Sequence, residues 1–377
     1  MMMQTQQIVL AVVVAAILVV AGVAAVILLR EEGPAEEKIV YYTTMAPSLM
    51  DSWLAENQTS AYIAWEPYAS SSVVAGTGRV LMYSSEIMPQ HPCCVVLAYD
   101  PFVEEDLGGG VTGQVLTLRF LKAHIDATEW VLDALADKDG ANYTLLVDMA
   151  VQFTQRSSAV VEEAFDHVTY GYQMDAEFND ALEQFTQMYV DSGLVTNESL
   201  VNLGYANASV FIDDYVDESY LVAAEAIAPS PTILNPSDPI RLGYLAGDLH
   251  QIAQVVALNE SAFGGTSIFE DYGLNVDALD PFLNGNAEML GFKMGQVDIG
   301  YLGAPPAINK RVNDLTDTTI VAQANSEGSS LIVSVNSDVN SLEDLVGETV
   351  STPGELSIQH LLLKIALNRE GIAFVKG

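Results

Sequence analysis

The sequence predicts an α/β protein built on open, largely parallel sheets and preceded by one transmembrane helix. Three observations predict it. The last stretch, "DLVGETVSTPGELSIQHLLLKIALNREGIAFVKG" (344–377), reads as strand, tight turn, helix and strand, with apolar Leu361, Leu362, Ile365 and Leu367 on the helix. Such a unit belongs in a parallel sheet covered on both faces. A second strand–turn–helix run, "PIRLGYLAGDLHQIAQVVALN", opens at residue 239. Finally, Ile8–Leu29 is 22 residues without a charge, enough to cross a hydrocarbon core of about 30 Å at about 1.5 Å per residue.

Taken from the amino end, residues 1–7 form a short tail without Lys or Arg. The apolar run after it exceeds the about 7–15 residues usual in a signal peptide, so residues 8–29 read as a retained anchor. Residues 30–37 ("REEGPAEE") form a charged stalk. Arg30 favours an inside location for the folded part of the chain. Five Asn-x-Ser/Thr sequons, at Asn57, Asn142, Asn197, Asn207 and Asn259, favour the outside. The expectation is a single-pass protein of the cell membrane with its folded part extracytoplasmic.

Beyond the stalk come two blocks, 38–221 and 239–377, joined by a linker at 222–238. Pro229, Pro231 and Pro236 and the small residues around them give the linker an extended composition. The first block opens on a strand, followed by the helix Ala46–Glu56 and the strand Ser60–Ala64 running into Trp65-Glu66-Pro67. In the second, Arg241–Tyr244 and Val297–Leu302 read as strands and Leu249–Asn259 as a helix with Ile252, Val255 and Val256 on its apolar side.

Charge narrows the partners. Against 50 Asp+Glu stand only 14 Lys+Arg, a net charge of -36. Such a surface repels nucleic-acid phosphates and anionic lipid, and the shortage of Lys points to a saline setting that screens self-repulsion. The two cysteines, Cys93 and Cys94, are adjacent in "HPCCVVLAY". Their Cα atoms, about 3.8 Å apart, fall short of the usual disulfide minimum of about 4.4 Å. In an extended strand His91 and Cys93 face one way and Cys94 the other. These three therefore do not converge on a metal, and the thiols read as small buried strand residues, with one-sided binding to a distant partner as the alternative. No metal and no cofactor is expected.

Loops at the ends of strands in an open α/β sheet gather at its carboxyl edge, where ligands bind. Ala246–His250, Gly303–Pro306 and Asn325–Ser330 are three such loops. Rich in Gly, Ser and Pro, they suit recognition by backbone N–H groups, hydroxyls and helix amino ends.

Here the sequence resembles the substrate-binding proteins of nitrate/sulfonate/taurine ABC importers, akin to the NMT1/THI5-like group. "IRLGYLAGDLHQIAQVVALN" resembles their first strand and helix. "GNAEMLGFKMGQVDIGYLGAPPAI" is similar to the stretch that delivers a ligand loop, and "SLEDLVGETVSTPGELSIQHLLLKIALNREGI" to the run into their second lobe. The later part of that family resembles residues 37–102, with Trp65-Glu66-Pro67, "GTGRVL" and "HPCCVV", and then the helical tail to about Leu221. The resemblance implies a two-lobed periplasmic-binding-protein-like (type II) fold in circularly permuted order. Residues 239–377 would supply lobe one and the start of lobe two. Residues 38–221 would supply the remainder, with strand Ile372–Val375 packed against neighbours from 38–64. Lobe one would hold 239–334 and a returning strand near 78–100.

The implied function is capture of a small solute between the lobes and its delivery to an ABC permease and its ATPase. The implied ligand-binding set is Ala246, Gly247, His250, Gly303, Ala304, Pro305, Ser326, Ser329, Ser330, Pro353, Gly354, Ser357, Trp65 and Glu66. Each has a structural alternative: Trp65 as a packed indole, Glu66 and Ser357 as caps, His250 as a solvated loop residue. A sulfonate or nitrate calls for strong donors, yet none of these loops contains Arg or Lys. A neutral or cationic solute, such as a pyrimidine precursor or an amine, stays open. Enzyme motifs such as Gly-x-Ser-x-Gly, His-Glu-x-x-His or a Walker loop are absent, so the expectation is not an enzyme. Pyrimidine synthesis of the NMT1/THI5 kind and a ligand-sensing ectodomain are the alternatives; the seven residues before the anchor count against the sensor.

Overall fold

The structure, a computed structural model, describes residues 37–377. The tail at 1–7, the anchor at 8–29 and all of the stalk but Glu37 lie outside the described residues. Among the described residues no helix is long and apolar enough to cross a membrane.

In chain order the strands are β1 (Ile39–Thr44), β2 (Ala61–Trp65), β3 (Gly78–Tyr83), β4 (Cys94–Tyr99), β5 (Asp106–Gly108), β6 (Val111–Thr112) and β7 (Val168–Tyr170). After the mainly helical middle come β8 (Ile240–Gly243), β9 (Val276–Ala278), β10 (Ile299–Gly303), β11 (Thr318–Gln323), β12 (Asn325–Glu327), β13 (Ser329–Ser334), β14 (Thr349–Thr352) and β15 (Ala373–Lys376). They build a six-stranded sheet, β15-β1-β14-β2-β13-β3, and a five-stranded sheet, β11-β4-β10-β8-β9. This mixed α/β arrangement fits a periplasmic-binding-protein-like fold.

The two ends of the described chain meet inside one sheet. β1 lies between β14 and β15 and runs parallel to both, with Tyr41 opposite Thr349 on one side and Val375 on the other. The strands that agree with the reading from sequence are the apolar ones: β2 is buried along its whole length, and so is β4 up to Tyr99. Helix Ile358–Arg369 seals the sheet with buried Leu361, Leu362, Leu363 and Leu367. Each such side chain contributes about 1.5–3 kcal/mol by leaving water.

The middle of the chain covers the other sheet. Helix Gly113–Ala136, capped by the Thr112 hydroxyl accepting from the Val115 N–H, buries Leu116, Phe120, Leu121, Ile125 and Val131. It packs against the helices Ser219–Glu225 and Ile252–Leu258. Beyond Glu225 the linker lies along the surface: the Leu234 N–H donates to the Gly273 carbonyl, and the Asn235 side chain is bonded to Asn275 through both its oxygen and its nitrogen.

Two placements differ from the sequence reading. β13 and β3, assigned there to lobe one, sit in the six-stranded sheet, where β13 pairs antiparallel with β2 and β3. Only β4 returns to the five-stranded sheet. Gly78 explains part of this: a Cβ there would lie 2.6 Å from Ile332 and 2.7 Å from Ser72, so only glycine admits β3 so close to β13. The expected helix Leu249–Asn259 is a 3-10 turn, Leu249–Gln251, followed by the helix Ile252–Leu258.

Candidate functional site

Strand direction decides which residues share an edge. β8 and β10 run parallel, and β4 runs antiparallel to β10 with Gly303 opposite Cys94. The carboxyl ends of β8 and β10 thus lie beside the amino end of β4, which places Leu245–His250, Gly303 and the cysteine pair together. In the six-stranded sheet β14 runs parallel to β2, so Trp65 and Pro353 leave the same edge. Between these edges lies a cleft of about 500 Å³, part of it open to solvent.

Three helices of nine, ten and twelve residues begin at this cleft: Gly285–Lys293, Ala304–Asn313 and Ile358–Arg369. Asn284 caps the first by accepting from the Ala287 N–H. Ser357 caps the third by accepting from the His360 N–H at 3.2 Å, while its hydroxyl donates to the Gly354 carbonyl at 2.7 Å. Helix amino ends carry partial positive charge and free N–H groups, and no Lys or Arg is among the residues lining the cleft.

Of the residues singled out from sequence, Trp65, His250, Gly303, Pro353, Gly354 and Ser357 line the cleft. The Trp65 indole nitrogen is buried without a hydrogen-bond partner, and its ring meets Tyr68 edge-on at 6.0 Å. The others lie elsewhere. The Ala246 carbonyl accepts from the Tyr68 hydroxyl, which also lies nearest to Gly247. Ala304 and Pro305 are buried in the first turn of their helix, and Pro306 takes their place in the wall. Ser326 lines a separate hollow with Gln323 and Tyr170. Ser329 accepts from the Gln359 amide, and the Ser330 hydroxyl is buried without a partner. Glu66, 1% exposed, accepts from the Ser70 N–H and so caps the helix Tyr68–Val74. Burial pushes its carboxyl up to about 7, against the Ser70 bond that holds it down.

The floor of the cleft holds what sequence reasoning missed. Cys93 lies just before β4 begins, so strand alternation does not apply to it. Cys93 and Cys94 both turn toward His250, and His91 is not part of the group. Cys93 Sγ lies 3.3 Å from His250 Nδ1; Asp248 lies 3.3 Å from the same nitrogen and accepts from Cys94 Sγ at 3.6 Å. His250 Nε2 donates to the Gly328 carbonyl at 2.9 Å. Asn325 fixes both cysteines, accepting from the Cys93 N–H through its backbone carbonyl and from the Cys94 N–H through its side chain.

All four ionisable groups are buried. The Cys94 hydrogen bond, with help from His250, lowers Cys93 against the effect of burial, whereas burial pushes Cys94 up. Burial raises Asp248 to about 6. Burial pulls His250 down, but Cys93 and Asp248 outweigh it and raise the imidazole to about 9. The floor thus sets a thiol with a lowered pKa against an imidazole with a raised one, beside a carboxyl group and one further thiol.

No curated protein and no solved structure matches the chain. Two family models do: one described as the NMT1-like family over residues 12–145, the other as NMT1/THI5 like over residues 268–376. The first takes in Trp65 and the cysteine pair, the second the helix starts at Asn284, Gly303 and Ser357, and together they span well over half of the sequence. The chain belongs to the NMT1/THI5-like group of the nitrate/sulfonate/taurine-binding family.

Proposed function

We propose that this protein is the membrane-anchored, extracytoplasmic solute-binding component of an ABC importer, not an enzyme, and that it holds a small solute in the cleft between its two sheets. The observation that carries the reading is the composition of the cleft. Trp65, Pro353, Gly354 and Leu356–Gln359 come from one sheet, and Leu245, Asp248, His250, Asn284–Asn286, Gly303 and Pro306 from the other. A solute touching both would favour the closed arrangement and hand itself on when the sheets part.

The order of the chain is read as a circular permutation, with 239–377 preceding 38–221 in the family's usual arrangement. The parallel pairing of β1 with β14 and β15 supports it, because the new ends then fall within one sheet. A second reading, capture of a neutral or cationic pyrimidine precursor, is favoured by Asp248 and the partner-less Trp65 indole nitrogen in a wall without Lys or Arg.

Thermal shift of the full chain against nitrate, sulfonates, bicarbonate, pyrimidines and amines tests both. A true solute at about 100 times its Kd stabilises by about 2.7 kcal/mol. Stabilisation by an oxyanion supports the first reading and by a pyrimidine the second. A flat response to every compound at low and high salt removes the solute-binding function.

A further inference from the structure

The donors on the cleft floor form a set with its own chemistry. Cys93 Sγ, Cys94 Sγ and a ring nitrogen of His250 all lie within 4.8 Å of one another and are buried. Donors around a tetrahedral ion with metal–sulfur bonds of about 2.3 Å and metal–nitrogen bonds of about 2.0–2.1 Å stand roughly 3.5–3.8 Å apart. The Cys93–His250 separation of 3.3 Å is already close to that, and small side-chain rotations bring in the third donor.

The surroundings match those of a ligand site. His250 Nε2 is committed to the Gly328 carbonyl, which leaves Nδ1 as the donor; a carbonyl on the far ring nitrogen is how metal-binding histidines are oriented. Asn325 holds both cysteine backbones. The Asp248 carboxylate stands beside the cluster and is itself fixed by the Gln251 amide at 3.2 Å. Gathering two thiols, an imidazole and a carboxylate in a dry floor is costly for packing alone, whereas a dication repays it. Paired sulfur with imidazole selects thiophilic ions over Mg2+ or Ca2+.

We propose that Cys93, Cys94 and His250 bind a thiophilic divalent ion of the Zn2+ type, with one coordination position open to the cleft. All three ligands and Asp248 line the cleft, and three protein donors with a free fourth position is the pattern of zinc sites that take up an external ligand. The ion supplies a Lewis-acidic coordination position that the side chains of the cleft lack. Its use for anchoring an anionic solute rests on the solute-binding reading; the ion site does not.

The test uses the full chain, reduced and freed of metal with a chelator, then titrated with Zn2+ in competition with a chromophoric chelator and, separately, with Co2+. One Zn2+ per chain, and a Co2+ form with thiolate-to-metal charge-transfer absorption, support the site; substoichiometric binding or a Co2+ spectrum without that absorption overturns it. Azide should shift the visible Co2+ bands, and an unchanged spectrum overturns the open position. Cys93→Ser, Cys94→Ser and His250→Gln should weaken Zn2+ binding at least tenfold, while His167→Gln, whose side chain pairs with Glu163 and is no member of the cluster, should not. Circular dichroism of the metal-free variants shows which are folded. A folded ligand variant with wild-type Zn2+ affinity overturns the assignment, and if all three misfold the wild-type Co2+ spectrum decides. A chain that binds Zn2+ but none of the solutes overturns the solute reading and leaves the ion site standing. A metal-free chain that binds solute but not Zn2+ does the reverse.

Discussion

The imidazole of His250 and the carbonyl of Gly328 meet at 2.9 Å, and a Cβ on residue 328 would lie 2.2 Å from the same ring nitrogen. Gly328 also has a φ of +78°, in the left-handed region that costs other residues about 1–2 kcal/mol. The glycine therefore serves the crossover between the sheets and the orientation of the histidine at once. Gly328→Ala is expected to lower the melting temperature by several degrees, at about 2–4 °C per kcal/mol for domains of 150–250 residues, and to weaken binding at the cleft. Calorimetry together with a Zn2+ titration checks it; a variant unchanged in both contradicts the contact.

Glu66 makes a prediction about pH. Its carboxyl titrates near 7 in the folded chain, against 4.5 unfolded. The folded chain thus keeps this proton to higher pH, so the contribution to stability is full below 4.5 and is lost as pH rises through 7. Glu66→Gln keeps an acceptor for the Ser70 N–H and has no charge to bury. The stability of the variant relative to wild type is expected to climb between pH 4.5 and 7 by on the order of 3 kcal/mol and then level off. Taking the difference at each pH removes much of the response shared with the neighbouring His250. Chemical denaturation across that range measures it, and parallel profiles would refute it.

Leu362 is fully buried beneath the six-stranded sheet, whereas Val375 on β15 is 43% exposed. Leu362→Ala is expected to cost about 2–5 kcal/mol through lost transfer energy and a cavity. Val375→Thr should stay within about 0.5 kcal/mol. Urea unfolding of the two variants compares them directly.

Salt should stabilise this protein. With a net charge of -36, repulsion among like charges opposes the compact state, and the screening length falls from about 30 Å at 0.01 M to about 3 Å at 1 M. Exposed pairs such as Lys138–Asp166 contribute little, so their screening costs little. Melting temperature is expected to rise along that ladder of NaCl; a fall would show that attraction outweighs repulsion.

Trp65 is expected to report occupancy of the cleft. Its fluorescence should change when a solute binds, and Trp65→Ala should weaken binding about tenfold or more by removing a large apolar surface. Unaltered affinity would take the indole out of the site.

The apolar strands and the closing helix were legible in the sequence because their residues carry local periodicity. "SLIV" in β13 has none that names its sheet; a fully buried run reads the same in either, and its partner β2 lies more than two hundred residues away. The meeting of the cysteines with His250 was hidden for a related reason. It depends on the register that sets Gly303 opposite Cys94, and on β4 starting one residue later than an extended reading of "HPCCVV" assumes. Asn284 could have been found, since Asn-Gly ahead of an apolar run is a cap signature. Glu66 shows the converse, a carboxylate beside a ligand wall that the fold spends on a helix start.

The pairing of β1 with β14 and β15 also sets a timetable. β1 leaves the ribosome long before β14 and β15, so the six-stranded sheet stays unfinished until both have followed. Contacts separated by more than three hundred residues are slow to form, and until they do, β1 offers two bare edges to any passing strand. β1 therefore needs shielding for as long as β14 and β15 have yet to pair with it.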